Sequence, residues 1–366
     1  MTDDRLARAA LSRLAEPGDR QVHQLLVQHG PTEALDRVRQ GHGKLSRFAE
    51  RVRRLDIERD LATAEKVGAR LLIPGDAEWP ERLGDLVIPP WCLWVRGPAD
   101  LARVTQRSVA VVGSRVCTAY GEQLAADIAA GLAQRGWTVI SGAAFGIDGA
   151  AHRGTLAVEG VTVAALAGGV DRPYPAGHGR LIGRIAETGA VLSEVAPGSA
   201  PMRSRFLLRN RLIAAMARGT LVVEADLRSG SLNTLNTAVE LGRPVGACPG
   251  PVTSMTSAGC HAKIRAGMAT LVTSASEVID LVGDLGADAC DEPRGVERLT
   301  DELGPDDARI HDGLPHRAWV DLAQVCNASA LAPMQALPAL ARLVELGLAE
   351  RREGTWRKAS SRTCRQ

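Results

Sequence analysis

Between residues 108 and 282 the chain repeats one pattern seven times: a short, continuously apolar run, then a stretch with helical spacing. The runs are SVAVVG (108–113), WTVIS (137–141), VTVAALAGG (161–169), AVLSE (190–194), TLVVEA (220–225), PVGACPG (244–250) and ATLVT (269–273). Runs this short, with no polar alternation, describe strands buried on both faces. Their alternation with helices describes a parallel, doubly wound α/β sheet. Ligands of such sheets bind beyond the carboxyl ends of the strands. The polar residues that follow each run are therefore the candidate site.

The flanks differ in character. Residues 1–65 read as a small helical domain: apolar residues recur at three-to-four-residue spacing, with breaks at Pro17-Gly18, Gly30-Pro31 and Gly41-His42-Gly43. From Arg70 two further strands are expected, ARLLIP and PPWCLWVRG, with Trp79, Trp91 and Trp94 nearby. The α/β domain then runs over 66–283. Residues 284–312 hold ten acids and three arginines and read as an acidic linker, part of it a short helix. Residues 313–366 give helix, helix and a hairpin about Glu353-Gly354, the order of a winged helix.

Composition excludes several classes. No apolar run approaches the ~20 residues of a membrane span, and the charged N-terminus lacks a signal core. A cytoplasmic protein is expected. Seven cysteines, odd in number and never spaced C-x-x-C, argue against a disulfide framework and a cysteine zinc site. Residues 201–270 carry nine Lys/Arg against three acids, which marks a local anion-binding surface. With only 3% aromatic residues, a nucleic-acid binder of this kind would hold mainly the backbone.

The strand ends supply the candidate residues. The first run ends Gly113-Ser114-Arg115: close backbone approach, a hydroxyl and an arginine ahead of a helix, all suited to an anion, or else a tight turn with one exposed arginine. Neither G-x-G-x-x-G nor G-x-x-x-x-G-K-[ST] is present. The second run ends Ser141-Gly142, followed by Asp148 and His152 four apart on one helix face. With no third ligand at metal spacing, that pair reads as a helix cap and an intrahelical contact. The third leads into an irregular loop lined by Arg172 and Arg180, with Tyr174 either stacking a base or anchoring the loop. The densest signal is Arg203, Arg205, Arg209 and Arg211, with Asn210: four arginines and no acid in nine residues. On a helix, Arg205 and Arg209 share a face, and the cluster reads as a fork-shaped phosphate receptor. Ser229-Gly230-Ser231 offers a second anion cradle. Cys248 and Cys260 lack a His–Asp arrangement and read as packing. No catalytic residue, metal site or cofactor is expected.

These strand-end sequences, in this order, resemble the DNA-processing protein A family (DprA, also called Smf). The carrying segments are VGSR…T.YG (112–121), SGAAFGIDGAAHRG (141–154), GGVDRPYP (168–175), SE.APGSAP (193–201), RFLLRNRLIAA (205–215), VVEADLRSGSLNT (222–234) and PGPVTSMTSAGCH (249–261). The resemblance covers roughly residues 70–283, and a SAM-like helical N-terminal unit and a winged-helix C-terminal unit also fit it. It implies an extended Rossmann-like, non-enzymatic protein that binds single-stranded DNA. Such proteins act as homodimers through the α/β domain and load the recombinase RecA past single-strand-binding protein during natural transformation. It also implies a pocket built on Arg115 and basic residues of the third loop. Where the family often has a basic residue after Tyr-Pro, this chain reads Ala176-Gly177-His178-Gly179-Arg180, leaving Arg172 or Arg180 as substitute. The alternative class is a Rossmann-like phosphoribohydrolase of the "lonely guy" type. Its P-G-G-x-G-T-x-x-E carboxylate has no counterpart in Ser229–Thr234, where Asn233 and Thr234 stand. A third reading, a duplex-DNA regulator acting through the winged helix, leaves the basic cluster of the α/β domain unexplained.

Overall fold

The computed structural model describes residues 2–284, 286, 288 and 299–359. Part of the expected acidic linker (289–298, including Cys290), together with Cys364, lies outside the described residues. The chain divides into two compact units, one up to residue 290 and one after it.

All seven apolar runs form strands. In chain order the sheet strands of the first unit are β1 (Ala69–Leu72), β2 (Leu93–Arg96), β3 (Ser108–Val112), β4 (Thr138–Ser141), β5 (Thr162–Ala165), β6 (Ala190–Ser193), β7 (Gly219–Val222), β8 (Val245–Ala247) and β9 (Thr270–Leu271). Their spatial order is β1-β2-β6-β5-β4-β3-β7-β8-β9. Strands β3 to β9 run parallel, while β1 and β2 extend the β6 edge antiparallel.

The continuous apolar character of β3 follows from its place near the middle of the sheet. Val109 and Val111 pack with residues of helices Ala119–Gln134, Ile147–Ala157 and Ala275–Val282. Ala110 and Val112 face the other way, into a cluster with Leu212, Ile213 and Leu235 from helices Arg203–Met216 and Ser231–Glu240. Each fully buried aliphatic side chain contributes about 1.5–3 kcal/mol, so a polar residue on either face would be strongly disfavoured. The helix after β3 leads to β4 on one side, and the helix after β7 leads to β8 on the other. Neighbouring strands β3 and β7 thus send their chains apart, which opens a crevice at their carboxyl ends.

The N-terminal helices Asp3–Leu14 and Arg20–Gln40 bury Leu11, Leu14, Val22 and Val38 with Phe48 and Trp91. The second bends at Gly30, whose φ of 76° breaks the helix ahead of Pro31. Ion pairs Arg13–Asp60 and Arg5–Asp76 (2.6 Å) tie the first helix to its surroundings.

In the second unit, helices Pro305–Gly313, Leu322–Ser329 and Pro333–Glu345 surround a core of Ile310, Leu340, Leu343 and Trp356. Its sheet comprises β10 (Val320–Asp321), β11 (Ala349–Arg352) and β12 (Thr355–Lys358), in the order β10-β12-β11. The hairpin turns at Glu353 and Gly354, both at positive φ (49° and 78°), as a two-residue turn between right-twisted strands requires. Helix Pro305–Gly313 falls within the stretch read as linker and joins Pro333–Glu345 through Asp307–Arg342, 2.6 Å. No described helix is long and apolar enough to cross a membrane.

Candidate functional site

The crevice between β3 and β7 is a cleft of about 530 Å³. Gly113, Ser114 and Arg115 enter it from the end of β3, and Ser229, Gly230 and Ser231 from beyond β7. Phe206, Arg209 and Asn210 line it from the Arg203–Met216 helix, and Asp148 from the helix after β4. Gly113 is required sterically: a Cβ there would lie 2.6 Å from Ile147 Cγ1 and 2.8 Å from the Glu224 carbonyl oxygen. The Ser114 amide donates to that carbonyl (2.7 Å), and its hydroxyl donates to the Val116 carbonyl (2.8 Å), so the hydroxyl shapes its own turn.

Arg115 is exposed. Its Cζ lies 4.7 Å from the centroid of the Phe206 ring, and Phe206 in turn contacts Tyr174 at 5.5 Å between centroids. Among the described residues no carboxylate forms an ion pair with Arg115. It is a cation held over an aromatic face at the mouth of the cleft.

The four-arginine cluster is not one fork. Arg209 is buried; its Nη1 donates to the Gly142 carbonyl (2.8 Å) and to the Ala165 carbonyl, and its Nε to Asn210 Oδ1 (3.2 Å). The guanidinium fills the space a side chain on Gly142 would need. Burial lowers the Arg209 pKa to about 10, opposed by the nearby Asp148. Arg211 turns away to chelate the buried Glu194 (2.6 and 2.7 Å) and to donate to the Ile88 carbonyl (2.8 Å). Arg205 grips Glu16 (2.7 and 2.9 Å) and holds that carboxyl below its ordinary value. Arg203 is exposed. The cause is local demand: buried strand-end carbonyls and a buried carboxylate must find donors, and this helix supplies them.

The remaining candidates divide in the same way. Ser141 is fully buried and donates to the Val111 carbonyl (2.6 Å). Gly142 lies beneath Arg209. Arg172 and Arg180 are exposed and do not line the cleft. The Ser229 and Ser231 hydroxyls meet at 2.8 Å, and Asn210 Nδ2 donates to the Gly230 carbonyl at 3.2 Å, tying the helix to this cradle.

Asp148 and His152 do not pair. Asp148 Oδ2 accepts the Gly142 and Ala144 amides (3.2 and 3.4 Å), and Gly146, with no side chain to offer, occupies the N-cap position of its helix. His152 Nδ1 meets Thr162 Oγ1 at 2.7 Å, and burial drives its pKa down to about 3. Burial pushes the Cys248 and Cys260 thiols up to about 12 and about 11, which makes them poor nucleophiles. Among the described residues no group of three or more His, Cys, Asp and Glu is placed to hold a metal ion.

Sequence reasoning missed Glu224. Only 1% exposed, it accepts the Thr118 amide (2.9 Å), the Thr118 hydroxyl (2.7 Å) and the Thr256 hydroxyl (3.2 Å), stapling two cleft loops. It also missed Phe206 as the seat of Arg115. Neither pairing leaves a local signal, because the partners lie far apart in the chain.

The sequence profile described as DNA recombination-mediator protein A matches residues 70–283, the span that carries the sheet and the cleft. The putative DNA processing protein DprA of Mycobacterium tuberculosis is 48% identical over 95% of this chain and 93% of its own length. Streptococcus pneumoniae DprA is 41% identical over 55% of this chain and 70% of its own. The X-ray structure of S. pneumoniae DprA superposes with a TM-score of 0.66 at 32% identity, covering 78% of this chain and 99% of that one. Helicobacter pylori DprA, whose structure was described for its single-stranded DNA binding mode, gives a TM-score of 0.53 at 28% identity over 58% of this chain and 94% of that one. The profile over the sheet and cleft, the whole-length similarity and the superposition agree, and the chain belongs to the DNA recombination-mediator protein A family.

Proposed function

We propose that this chain binds single-stranded DNA in the β3–β7 cleft and delivers it to the RecA recombinase. The observation that carries the reading is Arg115: an exposed guanidinium, without a carboxylate partner among the described residues, seated on Phe206 at the switch point of the sheet. Its donors meet a backbone phosphate. The Ser229-Gly230-Ser231 turn at the start of a ten-residue helix adds neutral donors and the positive end of a helix dipole. Arg209 contributes positive charge from the cleft wall, and Phe206, with the exposed Tyr174 ring against it outside the cleft lining, offers aromatic surface for unstacked bases. The exposed Arg172, Arg180 and Arg203 extend the path of the strand. The single-strand binding described for the H. pylori relative supports the same reading.

The C-terminal unit offers less to nucleic acid. The solvent face of helix Pro333–Glu345 presents Met334 (88% exposed) and Leu337 (46%), and Gln335 accepts the Ala332 amide as part of a cap. Met334 and Leu337 offer no donor or acceptor to base edges, and the cap leaves Gln335 only its amide N–H₂. We read this unit as a winged-helix-like accessory after an acidic linker, and the N-terminal helices as a SAM-like one. The chain acts in the cytoplasm as a homodimer, without catalysing a reaction, and loads RecA where single-strand-binding protein competes for the strand. The test is competition: a labelled single strand bound to the full chain is displaced by unlabelled single strand at much lower concentration than by duplex of the same sequence. More effective displacement by duplex would overturn the reading.

A further inference from the structure

Asp148 sits oddly in a cleft built for an anion. It is nine-tenths buried (6% exposed) and lines the cleft with Arg115 and Arg209. Its Oδ2 accepts the Gly142 and Ala144 amides, but among the described residues no donor reaches Oδ1. Oδ1 is left open to the cleft, where phosphate, which carries only acceptors at neutral pH, would meet a like-charged acceptor. The ligand group that suits an open carboxylate oxygen is an N–H donor, and in a single strand such groups sit on the edges of the bases.

We propose that Asp148 makes the cleft selective for bases that carry an amino group, by accepting that N–H at Oδ1. This rests on the single-strand reading above. The cleft volume of about 530 Å³ is of the size that takes a nucleotide. Guanine presents N1–H and N2–H₂ side by side, a run of donors toward the carboxylate. Adenine and cytosine each present an amino group beside a ring acceptor. Thymine presents N3–H between two carbonyl oxygens, both repelled by the carboxylate. The expected order is guanine first, adenine and cytosine next, thymine last. Arg115 holds the phosphate of any nucleotide equally, so the selection belongs to Asp148.

The experiment measures anisotropy of the full chain with short oligo(dT) strands, either unmodified or carrying one central dG, deoxyinosine, dA or dC. Deoxyinosine keeps N1–H and lacks the amino group. The wild type should bind the dG strand about tenfold tighter than oligo(dT), as a charge-assisted hydrogen bond allows, with deoxyinosine between them. Asp148→Asn keeps an amide oxygen for the Gly142 and Ala144 amides and turns a donor into the cleft, so it should level or reverse the preference. Equal wild-type affinity for all strands overturns the inference and leaves the single-strand reading standing. A dG preference that survives in Asp148→Asn overturns Asp148 as its source. Should that variant fail to fold, the wild-type ranking of dG, deoxyinosine and oligo(dT) decides alone. Failure to bind any strand at low salt would overturn the single-strand reading itself.

Discussion

Arg115 and Arg209 lie in one cleft, yet replacing each with alanine should produce opposite phenotypes. Arg115 is exposed and its guanidinium lies over the Phe206 ring, so Arg115→Ala removes an exposed cation–π contact of about 0.5–1 kcal/mol from the fold. A charged hydrogen bond to phosphate contributes about 1.5–3 kcal/mol, so single-strand affinity should fall roughly 10- to 150-fold. Arg209→Ala orphans the Gly142 and Ala165 carbonyls at the buried ends of β4 and β5. At about 1–3 kcal/mol for each unsatisfied acceptor the fold loses about 2–6 kcal/mol. With about 2–4 °C per kcal/mol for a unit of this class, Tm should fall by roughly 10 °C. Thermal unfolding of both variants, paired with anisotropy titration at a temperature where both are folded, reads the two effects separately. The reasoning is refuted if Arg209→Ala unfolds with the wild type, or if Arg115→Ala loses as much thermal stability as Arg209→Ala does.

Glu224→Ala should lose about 1–3 kcal/mol in urea unfolding and also weaken single-strand binding, since the Thr118 and Thr256 loops lose their common anchor; unchanged values in both assays would contradict this. His152 stays neutral in the fold down to a pKa of about 3, against 6.5 when unfolded. As pH falls through 6.5 the unfolded chain takes up the proton first, so stability is lost between pH 6.5 and 3. The stability gap between wild type and His152→Gln should narrow by about 2 kcal/mol from pH 7 to pH 5, and a constant gap would count against it. Incubation with nucleoside monophosphates or ATP should release neither base nor phosphate above the background of an Arg115→Ala, Glu224→Ala double variant. Arg351→Ala, in β11 of the C-terminal unit, should lose less single-strand affinity than Arg115→Ala; a larger loss would move the site to that unit.

The sheet was legible because its signal is local: seven apolar runs, each ended by small or polar residues, need only burial on both faces to become strands. The Gly113-Ser114-Arg115 turn and the Ser229-Gly230 cradle were legible for the same reason, since each stands at a strand end. The arginine cluster was not. Four arginines without an acid within nine residues look free on a helix, but three of them, Arg205, Arg209 and Arg211, have partners (Glu16, Gly142, Ala165 and Glu194) that lie outside that stretch of sequence. Only the folded sheet brings those acceptors to the helix. Phe206 was hidden by the same limit: sparse aromatic composition pointed away from ring contacts, while folding set Arg115, Phe206 and Tyr174 in contact. Helix Pro305–Gly313 lay in an acidic stretch whose helical span became apparent only with the Asp307–Arg342 pair.

The central claim is that the cleft holds the backbone of a single strand. The most direct measurement is anisotropy of the full chain, wild type and Arg115→Ala, with single-stranded and duplex oligonucleotides across a salt series. Wild type should bind single strand more tightly than duplex, with log affinity falling linearly in log salt by about 0.7 for each phosphate neutralised. Arg115→Ala should reduce that slope by about one phosphate's share. Tighter binding to duplex, or a slope that Arg115→Ala leaves unchanged, would contradict the account.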